Sequence, residues 1–364
     1  MEMKPENAVV LIPSLEPDER LPRYVRELLE KHFLQIVIVD DGSSEKYQPI
    51  FDELAAMDGC TVLHHDVNHG KGVALKTGYT AILKDYPDCA GVITADADGQ
   101  HLTKDVWALA EKLATGEKAL YLGSRDFSQE GVPPKSRTGN RITTFVFWLL
   151  YGQWITDTQT GLRAFPASEL QFMLDVPGER FEYEMNVLIA CARAGIPMPA
   201  VTITTVYENA NSGTHFHPVR DSIRIYKVIF GNFFRFIGTS LASFLIDQGL
   251  FWVFENVALP GLGIYREGAI IGAQVLARVI SATCNFTMNK KMVFRLKNGA
   301  AGAVWRYAVL CVGILALSTL GVLGLSALGM DEQVAKLICD TLLYFLSYRM
   351  QNRWVFREKE GANA

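Results

Sequence analysis

Four apolar segments in the last third of the chain limit its fold more than any other feature. They cover residues 236–254, 269–288, 307–328 and 334–350. A helix crossing about 30 Å of hydrocarbon needs roughly 17–25 residues at about 1.5 Å each. The first segment carries one charge, Asp247, the second carries Arg278, and the third carries none. The fourth holds Lys336, Asp340 and Arg349, and it spans if Lys336 and Arg349 snorkel at its ends. One such run is also what a buried helix of a soluble protein looks like. Four in succession predict an all-α, four-helix transmembrane domain over residues 229–364.

Charge separates this part from the rest. Residues 1–228 hold 22 Lys and Arg against 31 Asp and Glu, and residues 229–364 hold 13 against 8. An acidic soluble domain followed by an apolar, basic one is predicted. A basic, Lys/Arg-clustered domain of the nucleic-acid-binding kind is lacking, so no nucleic-acid partner is expected. Basic residues gather before the first span (Arg220, Arg224, Lys227, Arg235), between the second and third (Lys290, Lys291, Arg295, Lys297, Arg306) and at and after the end of the fourth (Arg349, Arg353, Arg357, Lys359). The other two connections carry Arg266 with Glu267, and Asp331 with Glu332. The positive-inside rule then puts the N-terminal domain, the central loop and the C-terminus in the cytosol. The N-terminus has no signal-peptide layout, and the six cysteines are scattered without a CxxC pair, which suits a reducing compartment. The expected location is a cytoplasmic membrane, of bacterial type.

The spans also read as a hairpin used twice. Arg235-Phe-Ile opens the first and Arg306-Tyr-Ala the third. Asn285-Phe-x-x-Asn289-Lys-x-x-Val-Phe closes the second, and Ser347-Tyr-x-x-Gln351-Asn-x-x-Val-Phe closes the fourth. Two helices per unit return the chain to the same side, so the repeats are parallel. Asp247 lies about 16 Å into the first span and Arg278 about 14 Å into the second from the opposite side. A mid-membrane charge pair is expected, with either a functional or a packing role.

In the soluble part, short apolar runs at 8–14, 35–40, 61–65, 90–95 and 119–123 alternate with helix-period segments at 21–33, 72–86 and 103–114. That alternation predicts an α/β domain, Rossmann-like, with a mainly parallel sheet. Ligands of such sheets bind outside the carboxyl ends of the strands. The first strand ends in Pro13-Ser-Leu-Glu16 with no GxGxxG after it, which argues against a dinucleotide oxidoreductase. The stretch His69-Gly-Lys-Gly contains Lys71, a candidate substrate-binding cation, but lacks Walker A spacing. Asp40 and Asp41 end the second strand, where paired acids could bond a base or ribose; a solvated turn reads the same way. The most informative run is GVITADADGQH. Asp96 and Asp98, at i and i+2, could approach one cation together with Gln100, and such hard oxygen ligands suit Mg²⁺ or Mn²⁺.

Taken in order, PSLE, VDDGSS, NHGKGVALKTGY, ADADGQH, GSR and DTQTGLRAF resemble a family 2 glycosyltransferase of the polyprenyl-phosphate sugar synthase type over residues 6–225. The membrane part is similar to the GtrA-like four-span proteins. The resemblance implies a GT-A fold that binds a nucleotide-sugar with a divalent metal, Mg²⁺ or Mn²⁺, and passes one sugar with inversion to polyprenyl phosphate at the cytosolic membrane face. Residue by residue, it implies that Pro13, Glu16, Asp40 and Asp41 meet the nucleotide, and that Asp96, Asp98 and Gln100 hold the metal. It places Arg125 and Arg137, with Asp98, in the catalytic set, and Arg163 in a substrate motif without a fixed role. UDP-glucose is the first donor expected, with GDP-mannose open. A polyprenyl phosphate is already a dianion near neutral pH, its second pKa being about 6, so no strong base is required. Glu182 and Glu184 are then expected to orient an arginine rather than act as bases.

The acceptor needs a route. The ten apolar residues 145–154 are too short to span and suit either the membrane interface or the core. His215, Arg220, Arg224 and Lys227 suit anionic headgroups or the acceptor phosphate, and positive-inside anchoring explains them as well. A membrane half that also flips the glycolipid is the alternative reading, and a homo-oligomer is left open. A processive polysaccharide synthase is disfavoured, because Gln351-Asn-Arg-Trp354 has the wrong spacing and place for that class's QxxRW motif.

Overall fold

Strand β1 (Ala8–Ser14) is buried along nearly its whole length, as is β2 (Gln35–Asp40). Unbroken burial rather than alternation marks strands covered on both faces, the situation of a parallel sheet between helices. The computed structural model describes residues 4–127, 134–204, 218–263, 267–294 and 300–356. It divides into two units, one of residues 1–148 and 152–228, the other of 149–151 and 229–364.

The first unit is built on one seven-stranded sheet of order β3-β2-β1-β4-β6-β5-β7. After β1 come α1 (Arg20–Leu29), β2, α2 (Gln48–Ala55), β3 (Cys60–His64), α3 (Lys71–Asp85), β4 (Gly91–Thr94), α4 (Thr103–Leu113) and β5 (Tyr121–Arg125). Then follow α5 (Pro134–Tyr151), β6 (Arg163–Pro166), α6 (Leu170–Asp175), α7 (Glu182–Ala194) and β7 (Ala200–Ile203). Strands β3, β2, β1 and β4 are parallel neighbours, as are β5 and β7. This is the mainly parallel GT-A-like Rossmann architecture. One face packs Val10, Ile12, Ile36 and Ile38 against Leu21, Val25 and Leu28 of α1 and Leu109 of α4. Each such fully buried side chain is worth about 1.5–3 kcal/mol of transfer free energy.

Strand β6 departs from the pattern. It lies antiparallel between β4 and β5. Its four residues include Arg163, 5% exposed, so a charge sits where periodicity leads one to look for an apolar run. The strand is held from outside its own sequence. Thr94 Oγ1 donates to Gly161 O at 2.8 Å, and Gly123 N donates to Leu162 O at 2.8 Å.

The second unit is helical. Helix α8 (Pro218–Val253) continues through a π-turn (Phe254–Ala258) into a one-turn α9 (Leu259–Gly261). Helices α10 (Glu267–Met288), α11 (Ala300–Ala327) and α12 (Glu332–Met350) follow. Three stretches, Ile225–Gly261, Gly268–Val293 and Gly302–Ala327, are long and apolar enough to cross a membrane, and only 6% of the most apolar window of the third is buried. Helix α12 forms where the fourth span was expected but carries more charge. Two of its charges neutralise each other, Lys336 Nζ lying 3.2 Å from Asp340 Oδ2, while Ser318 of α11 donates to Asp340 Oδ1 at 2.7 Å.

The hairpin repeat is visible in the contacts. Both closing motifs end in π-turns, Asn289–Val293 and Gln351–Val355. The matched residues Asn289 and Gln351 meet each other, Nδ2 donating to Oε1 at 3.0 Å in a buried position. Phe294 stacks on its counterpart Phe356 with centroids 4.9 Å apart. Cross-contacts are reciprocal: Phe236 packs on Tyr348 at 5.2 Å, and its counterpart Tyr307 packs on Phe286 at 5.4 Å. The expected charge pair is present, with Arg278 Nη2 3.1 Å from Asp247 Oδ2. Ser281 donates to the other Asp247 oxygen at 2.7 Å. Counted from the matched motifs, Asp247 corresponds to Ser318 and Arg278 to Asp340. Each hairpin therefore carries one polar tie at the same level.

Candidate active site

The carboxyl ends of β1, β2 and β4 gather the residues expected there. Past β1, Glu16 adopts a left-handed conformation (φ 49°), and its N–H donates to Ser43 Oγ at 2.8 Å, tying the loop after β1 to the one after β2. Pro13 lies within β1, in register with Val39. Asp40 and Asp41 are buried, and both are already engaged. Asp40 accepts from Ser43 N at 2.9 Å and faces His64 Nδ1 at 3.0 Å. Asp41 accepts from the N–H groups of His69 and Gly70 at 3.0 and 2.7 Å, and from His65 at 2.9 Å. It thereby fixes the turn into α3, where Gly70 takes φ 102° and a Cβ would strike the backbone of Glu179. The solvated-turn reading is set aside for Asp41, which is a buried clamp on the turn into α3.

That turn delivers Lys71. Its Nζ lies 2.7 Å from Asp96 Oδ1 and 3.1 Å from Glu184 Oε1, at 17% side-chain exposure. His101 Nε2 lies 3.2 Å from Asp96 Oδ2. Gly161 presses so close that a Cβ there would overlap the Asp96 carboxylate. Burial raises the Asp96 pKa, but Lys71 and His101 outweigh it and hold the carboxyl well below its usual range. Burial likewise pulls Lys71 down, and Asp96 and Glu184 more than reverse that. Asp98 differs: burial and then the charge of Asp96 push its carboxyl up, while Gln100 N donates to its Oδ1 at 3.0 Å. Of the paired acids, Asp98 is the one short of positive charge.

Two expectations change here. Glu184 orients a lysine, not an arginine, because α7 starts beside the α3 turn; only its backbone carbonyl meets Arg163 Nη1, at 2.8 Å. Glu182 accepts from the N–H groups of Glu179 and Arg180 at 3.2 Å, bracing the loop that leads into its own helix. Arg163 is a buried strut whose Nε donates to Thr160 O at 2.9 Å.

Beyond β6, along the same edge of the sheet, Arg125 ends β5. Its Nε and Nη2 reach Asp157 Oδ2 and Oδ1 at 2.7 and 3.1 Å, and the Asp157 side chain is fully buried. Asp157 was missed in the sequence, although it begins DTQTG. An acid so placed is the signal to look for, since a bidentate carboxylate aims a guanidinium rigidly. Arg125 borders a cavity of about 590 Å³ that is also lined by Ser124, Asn140, Arg141, Trp154 and Thr202. Arg137 is half-buried on α5. The 145–154 run, which ends that helix and runs just past it, proves divided: Phe147 is buried while Phe145 is 51% exposed and Trp154 62%. His215 lies outside the described residues, as do the side chains of Arg220 and Arg224. Among the described residues no group of three or more His, Cys, Asp or Glu is set to hold a metal by itself.

A half-buried acid pair outside a central strand, with cations arrayed along the sheet edge, is the equipment of a group-transfer enzyme that handles anionic substrates. Comparison gives the class. Residues 9–170 match the model of glycosyl transferase family 2, and residues 235–356 match that of the GtrA/DPMS transmembrane domain. The chain thus carries a family 2 glycosyl transferase domain followed by a GtrA/DPMS transmembrane domain, and is a multi-pass membrane protein. It is 28% identical over 215 residues to the UDP-N-acetylglucosamine–dolichyl-phosphate N-acetylglucosaminyltransferase of Methanococcus voltae, covering 54% of this chain and 85% of the relative. Glycosyltransferase AglJ of Haloferax volcanii is 23% identical over 308 residues, 80% of this chain and 98% of its own. Polyprenol monophosphomannose synthase of Mycolicibacterium smegmatis is 28% identical over 177 residues, 46% and 64% of the two chains.

Proposed function

We propose that this enzyme transfers one sugar from a UDP- or GDP-linked donor to polyprenyl phosphate at the cytosolic face of a membrane, with inversion and with Mg²⁺ or Mn²⁺. The observation that carries this reading is the line of charge along the sheet edge, from the Asp96–Asp98 pair to Arg125 and its cavity, in a chain that also spans the membrane. The names of the relatives support the acceptor class.

The residues fit a divalent cation. Asp98, pushed up by burial and by Asp96, gains from a positive neighbour, and Asp96 with Gln100 completes an oxygen-rich set. Two carboxylates suffice where a diphosphate supplies further oxygens, as is usual for Mg²⁺. Bound there, the ion would neutralise charge on the leaving nucleoside diphosphate. Lys71 and His101 fix the Asp96 carboxylate, so the pair is aligned before the donor arrives. Arg125, aimed by Asp157, and Arg141 bring positive charge to the cavity, which suits the acceptor phosphate. That phosphate attacks as it stands, and Glu184, held by Lys71, is not needed as a base. The exposed Phe145 and Trp154 suit the membrane interface where the lipid is met.

The test is transfer by membranes expressing the chain, supplied with labelled UDP-glucose, GDP-mannose or UDP-N-acetylglucosamine and either undecaprenyl or dolichyl phosphate. Label entering lipid from one donor, lost with a chelator and in Asp98→Ala, is expected. Transfer to no polyprenyl phosphate from any donor, by folded protein, overturns the reading.

One observation also favours flipping of the product. A shallow, largely apolar hollow of about 520 Å³ lies along α12, bordered by Leu337, Tyr344 and Phe345 and by the polar Gln333, Lys336, Asp340 and Thr341, so polar groups and apolar surface meet on one helix of the membrane unit. Liposomes holding the purified chain and a headgroup-labelled glycolipid would show protein-dependent loss of inner-leaflet label; loss at the rate of empty liposomes removes this second reading.

A further inference from the structure

The two acids expected to meet the nucleotide hold their bonds in different ways, and the difference lies in two adjacent histidines. His65 is engaged at both ring nitrogens, Nδ1 with Asp41 at 2.9 Å and Nε2 with Thr77 Oγ1 at 2.9 Å, and its side chain is 11% exposed. His64 is engaged at one. Its Nδ1 lies 3.0 Å from Asp40 Oδ2, its side chain is 43% exposed, and among the described residues its Nε2 has no hydrogen-bond partner. Asp40 itself is buried, with its other oxygen on Ser43 N at 2.9 Å. Each of its oxygens thus has a partner, and the one with a ring nitrogen left open to a ligand is His64.

We propose that His64, held by Asp40, reads the nucleobase of the donor and selects a base whose ring N–H faces it, uracil or guanine, over cytosine or adenine. This rests on the nucleotide-sugar reading above. The position is right, because Asp40 and His64 are register partners at the carboxyl ends of β2 and β3. The loops there are tied to the one after β1 through Glu16 and Ser43. The imidazole is braced edge-on by Phe51, with centroids 5.7 Å apart and planes at 79°.

The chemistry follows from the carboxylate. It only accepts, so the neutral imidazole donates from Nδ1 and presents a lone pair at Nε2. Uracil N3 and guanine N1 each carry a hydrogen that this lone pair accepts. Cytosine N3 and adenine N1 are themselves acceptors and would meet it lone pair to lone pair. A site built to bond a particular N–H discriminates strongly against an analogue lacking it, because its own polar group is left unpaired. Asp40 is then a positioning residue that sets the tautomer, and His64 is the contact.

The experiment is binding of UDP, GDP, CDP and ADP with Mg²⁺ to the full chain in detergent, by calorimetry, with thermal unfolding followed in parallel. The intact protein is expected to bind UDP or GDP at least tenfold more tightly than CDP and ADP. His64→Ala should weaken the favoured nucleotide about tenfold, leave CDP and ADP nearly unchanged, and so flatten the ranking. Asp40→Asn keeps an acceptor for Ser43 N and turns a donor toward Nδ1. That forces the hydrogen onto Nε2, and the preference should shift toward CDP and ADP, an effect no loss of packing imitates. Should His64→Ala not fold, His64→Phe keeps the ring and removes the lone pair, with the same flattening expected. A ranking unchanged in the His64 variant and abolished in Asp40→Asn overturns the inference, since Asp40 would then meet the base itself. No nucleoside diphosphate bound by folded wild-type chain ends the nucleotide reading of the site and this inference with it.

Discussion

Lys71 ties together three parts of the catalytic unit that are distant in sequence: the start of α3, the end of β4 and the start of α7. Removing its charge leaves two carboxylates, Asp96 and Glu184, facing each other at 32% and 16% side-chain exposure. Breaking a fully buried pair costs about 3–5 kcal/mol. Partial solvent access reduces that to about 2 kcal/mol here. Lys71→Met should therefore lower the unfolding temperature of the catalytic unit by about 4–8 °C, with Lys71→Met/Glu184→Gln recovering part of the loss. A shift under about 1 °C in the single variant would mean the tie bears no load. Gly161→Ala tests the same carboxylate from the other side: its methyl would displace Asp96. We expect Mn²⁺ and nucleotide binding to fall at least tenfold in a chain that still folds; unchanged binding would show that the Asp96 position is not critical. At this scale the sequence was half legible. Asp96, Asp98, Asp40, Asp41 and Arg125 stand out because acids and bases ending apolar strands are conspicuous. Of their partners, His64 and Asp157 do not, and Lys71 and Glu184 stand out without their pairing, because each contact joins distant segments and no local spacing encodes it.

At the level of elements, strands and helices that obey a period were readable, and those that tertiary contacts impose were not. Strand β6 has four residues and a buried arginine, so only its neighbours β4 and β5 define it. The parallel hairpins were readable because the same motif is written twice, but the meeting of Asn289 with Gln351 is a property of the pair. Asn289 bonds Thr239, Asn285 and Gln351, at 2.6, 2.8 and 3.0 Å, whereas Gln351 bonds Asn289 and Ser347. Interhelical hydrogen bonds in membranes are worth roughly 0.6–2 kcal/mol each. Asn289→Ala should thus destabilise the membrane unit more than Gln351→Ala in a detergent unfolding titration, by about one such bond; the reverse order would contradict the network. The Asp247–Arg278 pair allows a cleaner test. Asp247→Arg/Arg278→Asp should regain most of the stability that either neutralisation loses. A double variant no better than the singles would refute direct pairing.

Over the whole molecule, the question with most consequence for function is which connections of the membrane unit face which side. Three spans are apolar enough to cross by composition alone, and α12 is not, with Lys336, Asp340 and Arg349 along it. If α12 failed to cross, Arg353 and Arg357 would emerge opposite Lys290 and Lys291, against the positive-inside tendency. The structure offers the means for it to cross. Asp340 takes both Lys336 and Ser318 as partners, so two polar groups enter as a satisfied set, and Arg349 lies one residue from the end of the helix. The repeat argues the same way, because α12 occupies the place in the second hairpin that α10 occupies in the first. We therefore expect Lys297→Cys and Trp354→Cys to react with a membrane-impermeant maleimide from one side of sealed vesicles, and Gly263→Cys and Met330→Cys from the other, in a background with the six native cysteines replaced by serine. Trp354→Cys reacting together with Met330→Cys would mean that α12 stays on one side. The pairing of Asp340 with Lys336 and Ser318 would then belong to an interfacial helix, and the polar groups along α12 could no longer serve as a path for a headgroup across the bilayer.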